Sequence, residues 1–228
     1  MIQDDYGIRR LILASGSPRR RQLLSLLGIP FVIKADGVDE RLLYNEPPTA
    51  YVLRVSQTKA HSVHDVRADE LVIAADTIVV LDGDILGKPA DAEEARQMLW
   101  RLRGRPHIVY SAVSVWHPAS FRLSQELGES VVWMRDYTDA EIDAYVASGD
   151  PMDKAGAYAI QHPEFQPAVR VEGCWLGVMG LPLCHLSRAL EQFGVVVPAR
   201  VPGACQAFSQ QHCVVHPDIL SSNPEVIA

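Results

Sequence analysis

Residues 10–14, apolar after Arg10, predict a short buried strand that runs into Ser15-Gly16-Ser17-Pro18. Beyond it the apolar period changes. Leu23, Leu24, Leu26 and Leu27 make a helical stripe, closed by Gly28 and Pro30. Ser17 suits the N-cap, and Pro18 suits the first helical position, where a missing N–H costs nothing. The first unit is thus strand, small-residue turn and helix, with Arg19, Arg20 and Arg21 in the opening turns. Residues 31–34 read as a second strand, leading to the acidic loop Asp36-Gly37-Val38-Asp39-Glu40. Val52, Val55, Lys59 and Val63 recur at helical spacing, which predicts a helix from 49 to about 66 with Lys59 on or beside its apolar face. A third apolar strand, 71–75, is expected to end at Asp76-Thr77. Residues 78–81 and 84–86 flank Asp82-Gly83, a hairpin signal.

Further on, Asp91 caps a helix, Glu94 is placed for a capping box and Gly104 ends it. Residues 107–116 and 130–135 read as strands. Thr138 and Glu141 repeat the capping box and open a helix to about Ser148. Residues 153–161 read as a Gly- and Ala-rich loop and strand. Gly180-Leu181-Pro182 is expected to open a last amphipathic helix to Phe193, ended by Gly194. Past Pro198 no period is visible, so 198–228 is expected to be a poorly ordered tail or a small add-on. The mixture of strands and helices makes the fold class α/β.

Composition narrows the function classes. The chain has 228 residues, 48% hydrophobic and 21% charged, with a net charge of −7. Wholesale disorder is excluded by that balance, and an acidic chain is a poor generic binder of nucleic acid. No apolar run reaches the roughly 18 residues of a membrane span, because Asp76, Asp82 and Asp84 interrupt 71–86. Residues 11–14 are too short for the apolar part of a signal peptide. The four cysteines (Cys174, Cys184, Cys205, Cys213) form no CxxC pair, so reduced thiols in a cytoplasm are expected.

An acidic protein that handles an anion must concentrate a few cations. A capped helix N-terminus offers unpaired N–H groups, and Ser hydroxyls and Arg guanidiniums beside it make Ser15-Gly16-Ser17-Pro18-Arg19-Arg20 a candidate phosphate cradle. A capped helix with solvated arginines accounts for the same pattern. Asp76 closes a buried apolar strand, where a carboxylate is costly unless used or paired; it could hold a metal, activate water, or cap a turn with Thr77. With Asp39 and Glu40 it could supply hard oxygen ligands for Mg²⁺ or Mn²⁺. Lys59, Lys88 and Lys154 are candidate phosphate cations or snorkelling lysines. Asp82-Gly83-Asp84 mimics a phosphatase nucleophile pattern, which a hairpin turn explains better. Cys205, His212, Cys213 and His216 match no standard zinc spacing, and Cys184-His185 reads as helix core followed by surface. Phosphate-loop, dinucleotide and nucleophile-elbow motifs are missing from the sequence.

In order, Leu13-Ala14-Ser15-Gly16-Ser17-Pro18-Arg19-Arg20, Asp39-Glu40, Lys59-Ala60, Ala75-Asp76-Thr77, Gly87-Lys88-Pro89, the run from Asp153-Lys154-Ala155-Gly156 to Ala159-Ile160-Gln161, and Gly180-Leu181-Pro182 resemble the Maf family of nucleoside triphosphate pyrophosphatases. The resemblance covers about 10–194. It implies an elongated mixed sheet with flanking helices and a deep cleft, similar to inosine triphosphate pyrophosphatases, with one catalytic domain over 1–197 built as two lobes. It implies hydrolysis of a nucleoside triphosphate to the monophosphate and pyrophosphate with a divalent metal (Mg or Mn), in a cytoplasmic homodimer linked to nucleotide-pool cleaning and septum formation. Nucleic acid and membrane are not implied partners. By motif position Asp76 matches the proton acceptor and Glu40 another cleft residue, and the metal is expected to be held by Glu40 and Asp76. Arg19, Thr77 and Gln161 match positions linked to base preference, and Ser15, Arg20, Lys59 and Lys88 match other cleft residues. Asp76-Thr77 paired with Ile160-Gln161 is similar to the dTTP/UTP-hydrolysing subgroup. Ser111 stands where that subgroup often has Thr, and His162-Pro163 follows Gln161 where a Gly is usual.

The expected mechanism places the triphosphate among Arg20, Lys59, Lys88 and the helix N-terminus, with Asp76 activating water at the α-phosphorus. The alternatives are a non-catalytic nucleotide-binding regulator of division and a phosphomonoesterase using Asp82.

Overall fold

Apolar side chains on both faces of a strand signal cover on two sides, and residues 70–81 carry them. They form β3 (Glu70–Leu81), the central strand of the computed structural model, which describes residues 7–221. β1 (Arg10–Leu13) runs parallel to β3 and to β2 (Phe31–Ile33). β4 (Asp84–Leu86), β5 (Pro106–His117), β6 (Arg122–Met134) and β7 (Ala168–Glu172) join antiparallel. The order is β2-β1-β3-β5-β6-β7, with β4 on β3 off that path. This is the expected mixed α/β sheet.

Alternation along β3 divides the interior. Val72, Ala74, Ile78 and Val80 meet Val52, Ala60 and Val63, the first two from α2 (Pro48–His61). Leu71, Ile73, Ala75, Val79 and Leu81 face the larger core. That core takes Leu23 from α1 (Pro18–Ser25), Leu99 from α3 (Ala92–Leu102), Tyr145 from α4 (Asp139–Ala147), Leu176 from α5 (Trp175–Met179) and Leu186 from α6 (Leu183–Glu191). Among the described residues no helix is long and apolar enough to cross a membrane.

One topological detail positions the site. β1 pairs with β3 only as far as Leu13↔Ile73, and β4 joins the same edge at Val79↔Leu86. Residues 74–78 therefore have no strand on that edge among the described residues. Asp76 sits in the gap, in mid-strand rather than at the strand end expected from sequence. The strand continues through it because β5 pairs with β3 from Val72↔Trp116 to Val80↔Ile108.

Other expectations shift for identifiable reasons. α2 stops at His61, not 66; Asp65 takes a left-handed φ of 53° and turns the chain toward β3. Gly180 does not open a helix: at φ 118° it ends α5, a conformation that suits glycine, and α6 starts after Pro182. Residues 153–161 contain no strand. Two 3₁₀ turns, Asp150–Asp153 and Ala155–Ala157, stand there, and Gly156 packs so closely on Val79 that a Cβ would meet it at 3.0 Å. Beyond 197, α7 (Val201–Ser209) and α8 (His216–Ser221) are helical, while 222–228 lies outside the described residues.

His185 is buried rather than on the surface, as is His107, and each Nδ1 has no hydrogen-bond partner. Burial pushes both imidazoles down to about 4. An unfolded histidine titrates near 6.5, so the unfolded chain binds more protons between those values. Stability is fully present above about pH 6.5 and falls as pH drops toward 4, by about 2 kcal/mol per histidine at pH 5. Urea midpoints measured from pH 7.5 to 5 should fall accordingly; a flat profile contradicts the neutral burial.

Candidate active site

The turn after β1 aims the first turn of α1 into the gap. The Ser17 hydroxyl caps the helix by accepting from the Arg20 N–H at 3.4 Å, and the Ser15 hydroxyl accepts from the Ser17 N–H at 3.3 Å. Arg20 is half-buried with its guanidinium enclosed, and its Nε donates to the Gly180 carbonyl at 3.0 Å. Burial lowers the Arg20 pKa, while Asp76 and Glu40 pull it back up; guanidinium remains a cation in proteins.

Asp76 points to the α2 face, where the Lys59 Nζ lies 2.8 Å from its Oδ1 and 2.9 Å from the Glu40 Oε1. Asp76 is only 6% exposed, so this ammonium partly offsets the cost of burying it. The Tyr51 hydroxyl donates to the Glu40 carbonyl at 2.8 Å and ties the acidic loop to α2. Thr77 points to the opposite face. Its Oγ1 is 2.9 Å from the Ser111 Oγ, which donates to the Gly177 carbonyl at 2.7 Å. A serine hydroxyl has one proton. Ser111 gives it to Gly177, so Thr77 donates to Ser111 and keeps its lone pairs free to accept from a ligand.

The open edge lets one cavity of about 620 Å³ reach both faces of the sheet. Ser15, Arg19, Arg20, Glu40, Lys59, Asp76, Thr77 and Lys88 all line it. Gln161 lines an adjoining cavity of about 820 Å³, which shares Ser17, Pro18, Arg19, Asp153 and Met179 with the first. With its amide oxygen turned toward Arg19, Gln161 accepts from the guanidinium at 3.1 and 3.3 Å.

The remaining candidates fall elsewhere. Lys154 reaches the cavity wall but is held by Asp153 at 2.6 Å and Asp150 at 3.0 Å. Asp39 pairs with exposed Arg41 at 2.6 Å. Asp82 sits in the exposed hairpin turn, paired with Arg105 at 2.7 Å, so it is no nucleophile of this cavity. Among the described residues no three metal-capable side chains converge, which includes Cys205, His212, Cys213 and His216.

Glu40 and Asp76 fit a divalent metal in a restricted sense. Their oxygens converge on one cation already, the Lys59 ammonium. Two carboxylates completed by substrate oxygens and water are a common Mg²⁺ arrangement, whereas a dedicated protein cage is not. Tyr51 was missed in the sequence, though it stands on the same Tyr51-Val55-Lys59 helical row as the lysine. The Gly177 and Gly180 carbonyls left no side-chain signal to find.

A family model for Maf-like proteins matches residues 10–193. The chain belongs to the Maf-like family. This Maf-like chain is 46% identical over 196 residues to a dTTP/UTP pyrophosphatase of Anaeromyxobacter dehalogenans (strain 2CP-1 / ATCC BAA-258), covering 85% of this chain and 98% of that one. It is 44% identical over 187 residues to a dTTP/UTP pyrophosphatase of Pelotomaculum thermopropionicum, covering 82% and 98%. A solved structure of the Staphylococcus aureus Ham1 protein aligns with 56% of this Maf-like chain and 73% of its own, at TM-score 0.40 and 15% identity.

Proposed function

We propose that this chain hydrolyses the α–β phosphoanhydride of pyrimidine nucleoside triphosphates, dTTP and UTP foremost, to the monophosphate and pyrophosphate. The observation that carries it is the convergence of Arg20, Lys59 and Lys88 with one strand acid, Asp76, in a single cavity beside the N-terminus of α1. The relatives' printed activity supports the same reaction.

Arg20, Lys88 and the helix N-terminus neutralise the polyphosphate. Lys59 holds Glu40 and Asp76 in place until substrate draws its ammonium away. Asp76 orients a water at the α-phosphorus and accepts its proton; the new P–O bond forms as the α–β bridging bond breaks, and pyrophosphate leaves. Glu40 and Asp76 would hold a Mg²⁺ or Mn²⁺ ion, which would neutralise charge and acidify the water. Arg19 and Gln161 lie at the base end. One catalytic unit through 197, acting as a cytoplasmic homodimer, is proposed with it.

The proton order through Thr77, Ser111 and Gly177 supports the choice of base. An acceptor-only Thr77 suits the N3–H of thymine and uracil and leaves the N3 lone pair of cytosine unpaired. Thr77→Val should therefore lower the UTP-over-CTP preference in kcat/KM about tenfold; an unchanged ratio removes Thr77 from base selection. For the reaction itself, incubation with a triphosphate panel and Mg²⁺ should yield monophosphate and pyrophosphate in equal amounts, fastest from dTTP and UTP. Orthophosphate as product, or binding without turnover, rejects the proposal.

A further inference from the structure

Residues after the family match help line the cavity that contains Gln161. The cavity that holds Gln161 is lined on one side by Phe208, Ser209 and Gln211, which belong to α7 and the turn after it. The family model stops at 193, ahead of this helix. The cavity adjoins the one that holds Asp76 and shares Ser17, Arg19 and Met179 with it.

The extension is anchored to the body. Val201, at the start of α7, is 5% exposed and belongs to the main core, and Phe208 packs partly buried against that core. Cys205 packs partly buried against the same core, which includes Cys184 of α6. Arg188 of α6 forms an ion pair with buried Glu126 and donates to the Ile219 carbonyl of α8 at 2.8 Å. The Cys213 N–H donates to the Gln206 Oε1 at 3.0 Å, which folds the turn back onto α7. Helix α7 is therefore held at both ends, with Phe208 partly exposed toward the cavity.

We propose that α7 is a specificity wall for the nucleobase, in which Phe208 packs against the base and limits its size while Gln211 meets its outer edge. This rests on the nucleotide reading above. An aromatic ring beside a base adds affinity without reading hydrogen bonds, typically about tenfold or more per base. Phe208 and the Arg19–Gln161 pair line the same cavity, so the base would meet both a polar pair and an aromatic face.

Phe208→Ala, Phe208→Tyr and Gln211→Ala change side chains that are half-buried or exposed, so the fold should survive. Expected for Phe208→Ala is a KM for dTTP raised about tenfold with kcat within about twofold, and a narrowed preference for dTTP over dATP. Phe208→Tyr should restore both. In the Asp76→Asn background, calorimetric titration with dTTP should show the same weakening for Phe208→Ala. An unchanged Kd and an unchanged dTTP-to-dATP ratio overturn the wall. Absence of pyrophosphate from the wild type with the Kd shift intact overturns the reaction and leaves the wall standing.

Discussion

Asp76→Asn should lower kcat for dTTP by about 10³-fold while the Kd for dTTP stays within a few-fold. The change keeps the shape of a residue that is 6% exposed and keeps an acceptor for Lys59 at the same place. What it removes is the proposed proton acceptor, and one of the two carboxylates proposed to hold the metal. Position-matched effects on kcat and not on binding separate chemistry from anchoring. Stopped-flow binding and quenched-flow turnover on the same preparation decide the matter. Retained turnover would assign the base elsewhere, and lost binding would make Asp76 an anchor.

Arg20→Ala should reduce kcat/KM by about 10²- to 10³-fold, chiefly through KM. The enclosed guanidinium uses Nε on the Gly180 carbonyl, which leaves its terminal N–H groups for phosphate oxygens. Arg20→Lys should recover less than a tenth of the loss, because a compact ammonium cannot reproduce the planar fork that reaches the Gly180 carbonyl through Nε and turns its terminal N–H groups to phosphate. Full recovery by lysine would reduce Arg20 to a point charge. Circular dichroism must remain that of the wild type, since the Gly180 contact also ties α1 to the end of α5.

Local chemistry was legible in the sequence. Ser17 and Pro18 open α1 as their types require, and Thr138 and Glu141 close a reciprocal capping box. The box at Asp91 is only half formed: the Asp91 side chain accepts from the Glu94 N–H at 2.9 Å, while Glu94 reaches Ala90 instead. Asp82 and Gly83, at φ 55° and 90°, make the hairpin that their dipeptide signals. Non-local arrangements were not legible. Asp76 looked like a strand end because its polarity broke an apolar run, yet pairing with β5, more than thirty residues downstream, carries the strand through it. The gap between β1 and β4 makes that mid-strand acid accessible, and no property of residues 74–78 alone announces it. Gly180 carries its signal in φ, which a helix start and a helix end can share in composition. The extension after 197 lacks a clear period because α7 buries little more than Val201, so its use as a wall depends on where α6 places it. The candidate site residues were legible one by one, and the meeting of all but Gln161 in a single cavity follows from the sheet order.

The central claim is that water, activated by Asp76, attacks the α-phosphorus. A single turnover of dTTP in water enriched in oxygen-18, read by mass spectrometry of both products, tests it directly. The account predicts the heavy oxygen in the monophosphate and unlabelled pyrophosphate. Label in the pyrophosphate, or release of labelled orthophosphate, would contradict it.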